Sequence, residues 1–132
     1  MPQKLLQTST KMIPEQVDVS IRTLKDTDIV LANTANTIID CSRADYVRVN
    51  LQADTEISLA NGTREGQQLV LAIYQYDAMP HTVTFDMSTI RLGSDIWSIP
   101  KLSETKGKLD RLIFMFDSVS GKYDLVGYSR GY

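Results

Sequence analysis

Any catalysis by this chain would have to run through His81, Cys41 or a scatter of aspartates, and their spacing supports little of it. His81 is the single histidine and directly follows Pro80. General acid–base or triad chemistry needs a nucleophile beside such a group. No Ser or Cys stands in a nucleophile-elbow context, so His81 is read as an exposed strand-end residue. Cys41 is the only cysteine, which rules out an intrachain disulfide and a cysteine-based metal site. It is read as a small buried hydrophobe. The aspartates fall mostly at strand ends, where a carboxylate satisfies turn amides. Asp45/Asp54 and Asp117/Asp124 are spaced to meet across a hairpin and hold calcium, but neither pair lies in an EF-hand or β-helix calcium signature. Lys106-Gly-Lys108 and Arg64-Glu-Gly66 are too short for a phosphate loop. The expectation is a protein with no catalytic residue, no cofactor and no metal site, and not an enzyme.

Bulk properties narrow the class. With 132 residues the chain suits one domain with a real core, and 42% hydrophobic against 23% charged residues argues against a wholly disordered polymer. The formal charge is −2 with dispersed basic residues, which is no footprint for a nucleic acid. Met1 to Thr8 contains no apolar run of signal-peptide length, and no segment reaches the 18 or so apolar residues of a membrane helix. A soluble protein made in a cytoplasm, without membrane or nucleic-acid partners, is expected.

The elements that would position these residues are strands. Period-two alternation puts Val47, Val49 and Leu51 on one face, then Ile57 and Leu59, then Val83, Phe85 and Met87. Thr27–Cys41 reads as two strands around Asn33-Thr-Ala-Asn36, and Ile96–Ile99 as another strand, with Trp97 packed in the core in preference to serving as a sugar platform. Leu69–Tyr74 and Leu112–Phe116 are apolar on both faces, as in a central strand or at a contact with another subunit. Asn61-Gly62 predicts a turn with two positive-φ positions, and Ser118–Lys122 a hairpin loop with Gly121 in αL. Tyr123, Tyr128 and Tyr132 are either half-buried edge residues or an interface patch. Val17–Ile21 alternates; residues 1–16 read as an N-terminal arm and 17–132 as a single all-β domain. No internal repeat is apparent, and an antiparallel, jelly-roll-like β-sandwich is expected.

From Thr55 to Tyr132, about 78 residues, the order of segments resembles a β-domain of bacteriophage tail-fibre and other virion proteins. The pieces are Ile57–Thr63, Gly66–Tyr76, His81–Met87, Trp97–Pro100 and Gly107–Tyr132. In the family pattern a tryptophan adjoins a proline; here Trp97 and Pro100 are separated by two residues. The module also usually ends a long fibre chain, whereas only about 50 residues precede it here. The resemblance implies a homotrimer, and a copy with a short arm looks like a capsid decoration, or cement, protein bound to the major capsid protein on the virion. Leu5, Leu6, Met12 and Ile13 are the expected capsid contact, and Phe114, Phe116, Tyr128 and Tyr132 the expected trimer contact. The alternative is a tail-fibre or receptor-binding tip that recognises a glycan of the host surface.

Overall fold

Alternating sequences build strands, and the connections between them decide which strands meet. A computed structural model describes residues 27–132, and the strands, contacts and distances are those of these residues. Nine strands occur: β1 (Thr27–Ala32), β2 (Asn36–Asp40), β3 (Tyr46–Leu51), β4 (Thr55–Ala60), β5 (Gln68–Tyr74), β6 (Val83–Phe85), β7 (Ile90–Leu92), β8 (Leu109–Asp117) and β9 (Lys122–Ser129). They form a six-stranded sheet ordered β1-β3-β5-β8-β9-β7 and a three-stranded sheet ordered β2-β4-β6. The all-β expectation holds, and no helix appears among the described residues.

The expected antiparallel pairing is corrected. β1, β3 and β5 pair in parallel, as do β2, β4 and β6. Successive strands alternate between the two sheets, so the chain winds through three coils, each laying one strand in either sheet. Parallel neighbours require a crossover connection, and here the crossover is a strand of the opposite sheet. Residue alternation is the same in parallel and antiparallel strands, so it carries no information about the partner. Antiparallel pairing enters only with β8, which pairs with β5 on one side and β9 on the other. The large sheet is therefore mixed.

The inner faces of both sheets share one core. Val47, Leu71 and Leu112 stand in register across three neighbouring strands and are almost wholly excluded from solvent. Ile57 and Leu59 of β4 and Phe85 of β6 belong to the same cluster. The Phe85 and Phe114 rings lie 6.1 Å apart, joining the small sheet to the large one. Burying such side chains stabilises by about 1.5–3 kcal/mol each. On the outer face, Arg48, Ala72 and Arg111 are in register, and Ala72 is fully buried. The two arginines flank it on either side. The Arg48 guanidinium sits 4.4 Å from the Tyr74 ring centre, and Arg111 donates to the Tyr46 hydroxyl at 3.1 Å. A mat of arginine and tyrosine thus covers part of the face that the sequence leaves apolar.

Three local expectations change. Ile96–Ile99 forms no strand; Ile96, Ile99 and Leu102 instead pack on the core from an irregular segment. β7 was not expected, and it pairs in parallel with β9. At the Asn61-Gly62 turn only Asn61 has positive φ (64°), and Gly62 serves a different need. A Cβ there would lie 2.6 Å from the Phe116 ring, so only glycine lets that ring approach the backbone. The Ser118–Lys122 hairpin does use Gly121 at φ 74°.

Candidate functional site

His81, expected to be exposed, is not. Its side chain is largely buried between two carboxylates, with Nε2 3.2 Å from Asp77 Oδ2 and Nδ1 3.6 Å from Asp54 Oδ1. The hydrogen bond with His81, then the Ala78 amide, holds the Asp77 carboxyl below the usual aspartate range. The Thr82 amide, chiefly, does the same for Asp54. The sequence missed this cluster because the partners lie on separate turns. It fastens the loop after β5 to the start of β6.

The irregular turn before β8 is held by two buried polar side chains. The Gln75 carboxamide donates to the His81 carbonyl at 2.8 Å and the Ser103 carbonyl at 3.0 Å, and accepts from the His81 amide at 3.2 Å. Asp110 is fully buried and accepts from the Ser103 amide, from the Ser103 hydroxyl at 2.8 Å and from the Gly131 amide at 2.8 Å. Unpaired, either group would cost several kcal/mol to bury. Paired, they fix the segment 99–104 opposite β6. Between that segment and β6 lies a cavity of about 390 Å³, with Val83, Phe85, Met87, Ile99 and Leu102 on its walls and Lys101 and Glu104 beside them. Its size is within the range of ordinary ligand sites.

The two carboxylate pairs weighed for calcium part company. Asp117 and Asp124 do converge, but on Arg91, at 3.0 Å and 2.7 Å. The Asp124 hydrogen bond, chiefly, raises the pKa of the arginine. Asp54 belongs to the His81 cluster instead of standing with Asp45. Among the described residues no three His, Cys, Asp or Glu side chains gather as metal ligands. Cys41 is buried in the core beside the Tyr123 hydroxyl, whose pKa burial pushes up.

The expected contact residues divide. Leu5, Leu6, Met12 and Ile13 lie outside the described residues. Phe114 is fully buried in the core, so its ring has no surface to offer a neighbour, and Phe116 is half-buried against Tyr123 with ring centres 4.9 Å apart. Tyr128 and Tyr132 are exposed. Trp97, expected in the core, is 83% exposed. The first coil carries more apolar surface than its neighbours: Ile29 (65% exposed) and Leu31 (49%) on the outer face of β1, and Ile38 (70%) on that of β2. At the matching positions, β3 carries Arg48 and Asn50, and β4 carries Ser58. No helix among the described residues is long and apolar enough to cross a membrane. Comparison with protein-family models, curated proteins and solved structures finds no match for this chain.

Proposed function

We propose that this chain is a non-enzymatic structural protein of a bacteriophage virion: a homotrimeric decoration (cement) protein that binds the major capsid protein on the outside of the head. One observation carries the reading, the apolar surface of the first coil. Ile29, Leu31 and Ile38 are exposed where the next coil presents Arg48, Asn50 and Ser58. Large exposed apolar side chains grouped on one part of a fold mark contact surfaces; here Ile29 and Leu31 lie on the outer face of one sheet and Ile38 on that of the other. Residues 1–26 join the fold at this coil, so arm and coil can engage the same partner. The order of segments from Thr55 to Tyr132 supplies the virion context. In a trimer three such arms bind together, and linked attachment gains avidity without any one contact being strong. Leu5, Leu6, Met12 and Ile13 belong to the capsid contact in this reading, and Tyr128, Tyr132 and the exposed edge of Phe116 to the trimer contact.

The test is co-sedimentation of the purified protein with undecorated heads of the phage that encodes it. Full-length protein should pellet with heads. The double variant Ile29→Asp/Ile38→Asp, and a chain lacking Met1 to Pro14, should stay in the supernatant as folded trimers. Retained pelleting by both would end the proposal.

A second reading, a receptor-binding tip for a host glycan, is favoured by the exposed Trp97, since an open indole is a ready sugar platform. Glycan binding abolished by Trp97→Ala, with no attachment to heads, would establish it in place of the first.

A further inference from the structure

The cavity beside β6 has a feature that apolar clefts in general lack: one wall is the unpaired edge of a sheet. Among the described residues β6 pairs with β4 alone, in parallel. Along that pairing the Thr55 amide donates to the Thr82 carbonyl at 3.1 Å and the Asp86 amide to the Ile57 carbonyl at 2.8 Å. In a parallel ladder the backbone groups of one residue face one neighbour and those of the next face the other. Thr82, Thr84 and Asp86 therefore address β4, and the N–H and C=O of Val83 and Phe85 address the cavity. His81 has the same direction, and there the two backbone groups are both taken by the Gln75 carboxamide. A buried side-chain amide thus stands where a peptide group of a neighbouring strand would stand. Among the described residues the next two rungs of that ladder have no such substitute. On the far wall of the cavity Ile99 and Leu102 supply apolar surface.

We infer that this groove accepts an extended strand added to the edge of β6, and that the donor is the run Val17-Asp-Val-Ser-Ile21 of a second copy of this chain. The chemistry that recognises the occupant is the backbone ladder itself, with alternate apolar side chains turned to the wall; this is edge addition of a strand. Val17–Ile21 supplies that alternation and lies outside the described residues. Residues 22–26 separate it from β1, a tether that spans about 20 Å when extended. The choice of a neighbouring copy as donor rests on the homotrimer reading.

The experiment is sedimentation velocity of the full-length protein at micromolar concentration, with Val83→Pro and Val19→Pro alongside. Proline is tolerated on an edge strand where its missing N–H faces away from the sheet. Val83→Pro removes a groove-facing donor and leaves the β4 ladder intact. Wild type should sediment as an oligomer, and both variants as monomers with unchanged far-UV circular dichroism. Should Val83→Pro fail to fold, Val19→Pro alters only the donor and gives the same readout. Oligomers that persist in both variants would overturn the inference while leaving the trimer reading intact. A monomeric wild type would overturn both. If the wild type is a monomer whose Val19 amide is protected from exchange, and Val83→Pro removes that protection, the strand comes from its own chain, and the second-copy inference is wrong.

Discussion

The coils built by β1–β6 and the hairpin of β8 and β9 bury similar side chains, yet they find their partners over different distances. In the coils each strand meets one roughly 20 residues away, as Thr27 meets Tyr46 and Asn36 meets Glu56, and the later offsets grow to Tyr46 with Val70 and Thr55 with Val83. In the hairpin, Asp117 meets Lys122 across a tight turn. Distant pairing costs more loop entropy before it gains contacts. The coils consequently depend on added fasteners: between coils the Thr37–Thr55 hydroxyl pair at 2.7 Å and the buried Gln67 carboxamide on the Cys41 carbonyl at 2.8 Å, and within the last coil Gln75 on the His81 carbonyl. The hairpin holds its register with its own ladder and one glycine.

The contrast can be broken most forcefully at Phe114, the ring that joins the hairpin to Phe85 of the last coil. Phe114→Ala should cost about 3–5 kcal/mol and lower the urea midpoint of both regions together; separate transitions by circular dichroism and amide exchange would show the regions to be independent. Gln75→Leu should cost roughly 2 kcal/mol, since it leaves the His81 amide and the His81 and Ser103 carbonyls without partners. Its mark is faster exchange confined to residues near 81 and 103, with the hairpin still protected. Gly62→Ala places a methyl group against the Phe116 ring and should cost about 1–2 kcal/mol by overpacking; Gly62→Ala with Phe116→Leu should recover most of the loss in a thermal melt.

Acid should loosen the coils and the hairpin alike. Asp86, bound by Ser88 and then Ser58, and Asp117, bound chiefly by the Ser120 hydroxyl, both titrate below the ordinary 3.8 when folded. A depressed folded pKa means the unfolded chain binds more protons between the two values. Stability from these groups is complete above the unfolded value and is lost as pH falls through the folded one. The urea midpoint should thus be flat from pH 7 to about 5 and decline below 4, and Asp86→Asn should flatten that decline. The smallest effect is expected at Arg91, which ties β7 to the hairpin at the solvent surface. Arg91→Ala should shift the melting midpoint slightly, less at 1 M salt than at low salt.

The same distinction explains what could be read from the residues alone. β4 and β8 form around the expected Ile57/Leu59 alternation and the apolar run Leu112–Phe116, and the β8–β9 hairpin with Gly121 was legible because turn and partner are close in sequence. The winding was not, because Val47 and Val49 alternate identically whatever strand lies beside them. β7 escaped notice as three residues, too short for any period. Trp97 was misplaced because Ile96-Trp-Ser-Ile99 reads as apolar, whereas the two isoleucines turn inward and the indole stays in solvent. At the candidate site, Gln75 and Asp110 gave no signal: a polar residue ending an apolar strand looks exposed until its partners, His81, Ser103 and Gly131, are known.

β9 lies between β8 and β7, antiparallel to one and parallel to the other, and Tyr132 exchanges two backbone bonds with Leu109, at 3.0 and 3.1 Å. A tensile load applied at Tyr132 would therefore act along the strand axis and strain both flanking ladders simultaneously, instead of peeling them one rung after another. Loaded in that shear geometry, the C-terminal side of the molecule is built to resist traction, while a pull on Thr27 meets a strand that has one neighbour, β3, among the described residues.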